Sequence, residues 1–328
     1  MEIPDRAATA DGLFAVTVGR RSEVAECIIS LELLPETGCE LPPFSAGAHI
    51  DVELPNGMVR QYSLLGDARR ALHYEIGILR DPASRGGSAC AHADLREGDR
   101  LRISRPRNLF PLVAARRSLL FAGGIGITPL LAMARQLAHD GADFALHYCG
   151  RSLARMAFID RLGEAPFAGC VHLHPDDGAP DTKLDAAALL AAPAPDTHLY
   201  VCGPGGFMDH VIDTAISCGW NDGNIHFECF AATVPAREGD RAFEMVLARS
   251  GRVIPVAPDE TALAALCAHG VDVPVSCEQG ICGTCATRVL DGEPDHRDMY
   301  FSDAEKAAND SFTPCCSRAR SARLVLDL

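Results

Sequence analysis

Positive charge is scarce in this sequence. Its 328 residues hold 30 Lys and Arg against 44 Asp and Glu, a formal net charge of −14. A basic footprint for nucleic acid or an anionic membrane surface is therefore missing. No apolar run approaches the roughly 20 residues of a membrane-spanning helix. Met1 to Gly12 carries acidic residues and no apolar segment of the kind that marks a signal peptide. There is no internal repeat, heptad array or low-complexity block. These absences predict a globular chain that works in the cytoplasm. A hydrophobic fraction of 48% with 23% charged residues is that of a packed protein, not a disordered one. The length suggests two domains or three small ones. An acidic chain of this kind suits docking on a basic protein face.

Cysteine is abundant instead, with 14 in the chain. In a reducing compartment these are thiols, ligands or redox groups, not structural disulfides. Cys277, Cys282 and Cys285 share one loop, and Cys315 and Cys316 follow. The spacing C-x4-C-x2-C with a distant fourth cysteine is that of a plant-type [2Fe–2S] ferredoxin. Four thiolates hold two irons, and the small Gly280 and Gly283 let the backbone wrap and aim N–H groups at the sulfurs. Half a zinc site would want a second close C-x2-C or an H-x3-H, and neither is present. A thioredoxin-like pair has no need of Cys277. The spacing alone leaves Cys315 and Cys316 open as the fourth ligand.

Three stretches of different character precede and include this loop. Residues 1–112 read as short strands: Leu13–Val18, Ala25–Leu33, His49–Leu54, Val59–Leu65, Leu72–Leu79 and Arg100–Ser104. Closely spaced strands of this kind predict a small antiparallel β-barrel. Residues 113–229 alternate strands (Ser118–Ala122, Phe144–Cys149, Val171–His174, His198–Cys202) with helical stretches, the pattern of an α/β parallel sheet. Residues 230–240 read as a linker. From 241 to 328 strands return at Ala242–Ala248, Arg252–Ala257 and Arg323–Asp327, with a short helix Thr261–His269 capped by Asp259 or Thr261.

Gly123, Gly124 and Gly126 form a turn between a strand and a helix, with Thr128 placed to cap the helix and Pro129 in its first turn. Such glycines let a diphosphate approach the positive end of a helix. Cys202-Gly203-Pro204 ends a second strand in the same way, and two such turns predict a nicotinamide dinucleotide. In the first domain, Arg60-Gln61-Tyr62-Ser63 offers a guanidinium, an aromatic face and a hydroxyl. Ser84-Arg85-Gly86-Gly87-Ser88 is a plausible phosphate cradle. His172, His174 and Asp176 share a face at strand spacing, a pattern more often structural than metal-binding. Cys27, Cys39, Cys90, Cys149, Cys170, Cys218, Cys229 and Cys267 read mostly as small buried hydrophobes.

Together these motifs resemble the phthalate dioxygenase reductase family, within the ferredoxin–NADP reductase superfamily. The likeness covers almost the whole chain. It also takes in His226-Phe227-Glu228, Pro294–Asp298 and Cys315-Cys316-Ser317-Arg318. The resemblance implies a multidomain chain: an FMN-binding β-barrel, an NADH-binding α/β domain and a C-terminal α+β, β-grasp ferredoxin domain. It implies that Arg60, Tyr62 and Ser63 hold the flavin. Gly77, Ile78 and Leu79 pass beside it, and Arg85, Gly86, Gly87 and Ser88 bind its phosphate. Gly123, Gly124, Gly126, Pro129, Gly203 and Pro204 would form the nucleotide turns. Thr128, Cys202 and Glu228 would orient the nicotinamide over the flavin. Arg151 could meet a 2′-phosphate and Asp176 would repel one, which favours NADH. The family pattern selects Cys315 to join Cys277, Cys282 and Cys285 as a cluster ligand. Electrons would pass from NADH through FMN to the cluster, then singly to a Rieske-type oxygenase docked near Glu278, Gln279 and Ile281. A cytochrome P450 or diiron acceptor, or a carrier that binds no nucleotide, are the other readings. Members are usually monomers.

Overall fold

The computed structural model describes residues 12–37, 39–69, 72–82, 86–230, 239–275, 280 and 283–328. The chain divides into two compact units, Met1–Phe230 and Ala231–Leu328.

The first unit opens with six strands: β1 (Phe14–Ala25), β2 (Ile28–Pro35), β3 (His49–Glu53), β4 (Val59–Ser63), β5 (Tyr74–Leu79) and β6 (Arg100–Ile103). They pair in the order β4-β3-β6-β1-β2-β5, all antiparallel. A bridge between Leu64 and Ile76 joins the two edges, so the sheet curls shut. Alternation explains the barrel. Leu101 and Ile103 point inward with Val16, Val18, Leu31, Leu33, Ile50 and Val52, while Arg100 and Arg102 point away. The sequence reading began the second strand at Ala25. The structure instead ends β1 there and turns at Glu26 and Cys27, where Cys27 takes the left-handed φ of 61°. Helix α1 (Gly87–Asp94) lies between β5 and β6.

Five parallel strands follow: β7 (Arg117–Gly123), β8 (Asp143–Gly150), β9 (Val171–Pro175), β10 (Thr197–Cys202) and β11 (Ile225–Glu228). Their order is β11-β10-β7-β8-β9. Helices α2 (Ile127–His139), α3 (Ile159–Gly163), α4 (Ala186–Leu190) and α5 (Gly205–Ser217) connect them. One face of the sheet buries Leu120, Ala122, Leu146 and Tyr148 under α2, and the other buries Phe121, Leu199 and Val201 against Met208, Val211 and Trp220. Thr128 does not cap α2. The helix begins one residue earlier, so Thr128 is already inside it, and its hydroxyl donates to the Ile125 carbonyl at 3.0 Å. Pro129 stays in the first turn, where its missing N–H costs nothing.

The second unit holds β12 (Phe243–Leu247), β13 (Val253–Val256), α6 (Ala262–Ala268), β14 (Thr287–Asp291), β15 (Pro294–Asp295), α7 (Asp303–Ala308), β16 (Ser311–Phe312), β17 (Arg318–Ala319) and β18 (Arg323–Leu326). Its mixed sheet runs β13-β12-β18-β14-β16, with β12 and β18 parallel. Ala262, Leu263, Ala265 and Leu266 of α6 pack on Met245, Ile254, Leu324 and Leu326. Of the two cap candidates Thr261 is the cap, and its hydroxyl accepts from Ala264 N–H at 3.1 Å.

The cysteines are less buried than expected. Cys90 and Cys202 are buried, Cys149, Cys170, Cys218 and Cys229 half-buried, but Cys27, Cys39 and Cys267 are exposed. Cys27 is exposed because it sits in a hairpin turn, and Cys267 because it lies on the outer face of α6. Among the described residues no helix is long and apolar enough to cross a membrane.

Candidate active site and cluster site

The order of the parallel sheet locates a crevice. From β7 the chain runs outward through β8 and β9, then returns to β10 on the other side of β7. Ligands of such sheets bind at the carboxyl ends of the two strands where the direction reverses. Here those ends carry Gly123, Gly124 and Gly126 after β7, and Cys202, Gly203 and Pro204 in the turn at the end of β10. The two turns touch backbone to backbone. A Cβ on Gly126 would lie 2.2 Å from the Cys202 carbonyl oxygen, and one on Gly203 2.9 Å from Gly123 Cα. Only glycine lets these loops meet.

The barrel reaches the same place. Ser63, the last residue of β4, donates to the Glu228 carboxylate at the end of β11, 3.2 Å away. A Cβ on Gly77 of β5 would come within 2.9 Å of Thr128 Cγ2, so α2 presses its Thr128 methyl into the gap. Ser63, Gly77, Thr128, Cys202 and Glu228 thus converge from four strands and a helix. Burial pushes the Glu228 carboxyl up to about 8, with the Ser63 hydrogen bond working in the opposite direction. It is therefore largely neutral at pH 7. Cys202 is fully enclosed, and burial holds its thiol protonated, reinforced by Glu228 once that carboxyl ionises. It is a thiol that packs, not a nucleophile.

Arg60 runs across the start of α1, where a Cβ on Gly87 would lie 2.9 Å from its Nε. Gly86, at φ 109°, precedes the helix without a side-chain cap. A guanidinium beside uncapped N–H groups suits a phosphate, so these residues fit the phosphate end of a flavin. Ser88 accepts from the Asp81 N–H at 3.1 Å. Arg85 lies outside the described residues. Tyr62 is packed against the barrel core, and burial raises its phenol. Ile78 is buried while Leu79 is exposed. Arg151 and Asp176 follow β8 and β9 and stand in solvent; the Asp176 N–H bonds back to the Gly150 carbonyl at 2.8 Å.

In the second unit Cys285 and Cys315 are both buried, with their thiols within hydrogen-bonding reach of each other. Two neighbouring buried sulfurs fit a shared metal cluster. Cys277, Cys282, Glu278, Gln279 and Ile281 lie outside the described residues. Gly280 and Gly283 both take left-handed φ, 75° and 69°. A Cβ on Gly280 would strike Cys316 Sγ at 2.4 Å, and one on Gly283 the Tyr300 ring at 2.2 Å. Cys316 is also buried, within reach of the Cys315 thiol, and faces the Thr313 hydroxyl at 3.1 Å. Among the described residues no three His, Cys, Asp or Glu side chains converge as a metal site. His172 and His174 stack with His147, and His147 and His174 share a ring hydrogen bond of 3.0 Å.

The motifs behind the loop are scaffolding that the sequence reading did not separate from function. Buried Asp298 accepts from the Tyr300 N–H at 3.2 Å, the Phe301 N–H at 2.8 Å and the Ser317 hydroxyl at 3.3 Å. Arg318 donates to the Ala257, Glu260 and Arg241 carbonyls. His49, directly across from Ser63 in the β3–β4 pair, was also missed.

Residues 245–320 match the 2Fe-2S iron-sulfur cluster binding domain. The chain is 57% identical over 317 residues to the vanillate O-demethylase oxidoreductase of Pseudomonas sp. (strain HR199 / DSM 7063), covering 96% of this chain and 100% of that one. The structure of phthalate dioxygenase reductase, described as a modular structure for electron transfer from pyridine nucleotides to [2Fe-2S], superposes with a TM-score of 0.78 at 40% identity. It covers 98% of this chain and 100% of that one. The chain belongs to the phthalate dioxygenase reductase family. A self-sufficient type IV cytochrome P450 monooxygenase contains a similar portion, with a TM-score of 0.81 at 38% identity over all of this chain and 43% of that one. As a phthalate dioxygenase reductase family member, the chain is an oxidoreductase. It moves electrons from a pyridine nucleotide through a flavin to a [2Fe–2S] cluster and serves an oxygenase.

Proposed function

We propose that the chain takes electrons from NADH and delivers them singly to the Rieske-type oxygenase of an aromatic O-demethylase. It acts as a cytoplasmic monomer of three modules, 1–112, 113–229 and 241–328, with a linker at 230–240. The observation that supports this most is the Ser63–Glu228 hydrogen bond, which joins the barrel to the carboxyl edge of the parallel sheet. When bound, the flavin accepts two electrons as hydride, and the cluster releases them one at a time.

The chain's own residues bind, orient and exclude water. Arg60, Arg85, Gly86, Gly87 and Ser88 hold the FMN phosphate. Tyr62 and Ser63, with the 77–79 backbone of β5, frame its ring. The glycine turns at 123–126 and 203–204 admit the dinucleotide, and Asp176 disfavours a 2′-phosphate. Thr128, Cys202 and Glu228 position the nicotinamide. Cys277, Cys282, Cys285 and Cys315 hold the cluster, and the loop around Glu278, Gln279 and Ile281 meets the oxygenase. The identity to vanillate O-demethylase oxidoreductase supports the demethylase partner. The similar portion of a cytochrome P450 monooxygenase favours a P450 acceptor as the second reading.

Anaerobic addition of NADH to the purified protein tests the chemistry. Bleaching of both flavin and cluster absorbance is expected, and no bleaching overturns the reductase reading. Turnover of vanillate with a purified demethylase oxygenase, but not of a P450 substrate with a P450, decides the acceptor.

A further inference from the structure

His49 is almost fully buried, at 4% exposure. It lies on β3 directly opposite Ser63, so the two side chains stand on one face of the β3–β4 pair. Its Nε2 is 3.3 Å from Gln61 Nε2. An amide nitrogen only donates, so this imidazole nitrogen accepts. The proton of the neutral ring then sits on Nδ1. The ring is neutral at physiological pH, because burial, then the nearby Arg107 charge, lowers its pKa to about 4 against the opposing pull of Asp51. Arg107 and Asp51 are themselves paired at 2.7 Å.

Nδ1–H is thus a buried donor with no hydrogen-bond partner among the described residues. Leaving such a group unpaired is unfavourable, so an acceptor is expected where the ring faces. Ser63, the residue that joins β4 to Glu228, stands on the same face as His49 and Gln61.

We propose that His49 is a further flavin-binding residue, and that its Nδ1–H donates to the polar edge of the bound ring beside Ser63. This rests on the placement of the flavin at Ser63. A neutral donor at that edge favours the reduced ring, where negative charge accumulates.

The test compares His49→Phe, which fills the space without a donor, with His49→Asn, which keeps one. The flavin midpoint potential is read by anaerobic titration of the intact holoprotein, with the cluster spectrum as a check on folding. His49→Phe is expected to weaken binding of reduced relative to oxidised FMN about tenfold, which for a two-electron couple lowers the potential by about 30 mV. His49→Asn restores most of it. A potential unchanged in His49→Phe overturns the proposal. If His49→Phe does not retain FMN, the wild-type protein with isotope-labelled histidine decides. A His49 Nδ1 resonance that moves when FMN is added to flavin-depleted protein supports the contact, and one that stays put overturns it. Wild-type protein that binds no flavin at all refutes the underlying placement instead.

Discussion

Glu228 ties the chemistry of the site to pH. Its folded-state pKa of about 8 lies above the ordinary value of 4.5, so the folded chain holds a proton that the unfolded chain releases. The associated stability is complete below the ordinary value and is lost as pH rises through about 8. Glu228→Gln keeps the neutral form at every pH. Its thermal midpoint is expected to match the parent below about pH 4.5 and to exceed it by a growing margin as pH rises toward about 8, and the hydride-transfer rate should lose its alkaline limb. Equal alkaline sag in both proteins would contradict the assignment. Cys315 and Cys316 lie within reach of each other and differ in their other partners. Cys315 shares reach with Cys285, whereas Cys316 faces Thr313 in a hydroxyl-lined niche. Cys315→Ala is expected to lose the cluster's visible absorbance and Cys316→Ala to keep it.

The glycine turns behave as a unit at the scale of elements. Gly126→Ala places a methyl 2.2 Å from a backbone oxygen, and no flexible side chain stands there to yield. An overpacking cost of about 1–3 kcal/mol is expected, with loss of NADH oxidation. Gly124→Ala meets nothing within 4 Å and strains only its φ of 55°, a cost of roughly 1–2 kcal/mol. Denaturant midpoints and the Michaelis constant for NADH distinguish the two. In the second unit, Thr261→Ala removes the cap of α6 and should cost about 1 kcal/mol, read as easier loss of cluster absorbance in denaturant. Most strands were legible in the sequence because their apolar residues alternate, as in β6, or run unbroken, as in β7. Strand β11 was not, since Ile225–Glu228 is short, lies at an edge and carries His226 and Glu228 among its four residues. Thr128 was misread as a cap because a threonine before a proline is what a cap looks like. The true start at Ile127 is set by the short turn at Gly124–Gly126, whose geometry depends on the contact with β10. The cluster loop of Cys277, Cys282 and Cys285 stood out by its spacing, which left Cys315 and Cys316 open, but the hydrogen bonds of Asp298 and Arg318 could not be read at all. They join residues far apart in the chain, and a spacing pattern carries no information on that.

For the whole molecule, the charge of −14 is the most exposed property to test. Reduction of the oxygenase is expected to slow as salt rises, because long-range steering between charged surfaces is screened within about 10 Å at 0.1 M salt. The rate of flavin reduction by NADH within the reductase should change far less. If both respond equally, the salt effect belongs to the nucleotide and not to docking.

The hydrogen bond from Ser63 to Glu228 also bears on assembly. One end belongs to the fourth strand of the chain and the other to the eleventh, with 165 positions between them. A chain emerging from synthesis therefore completes its barrel well before the second half of the bond exists. Until Glu228 arrives, Ser63 stands at an open rim. A half-made protein thus lacks the junction between barrel and parallel sheet, which closes in one late step.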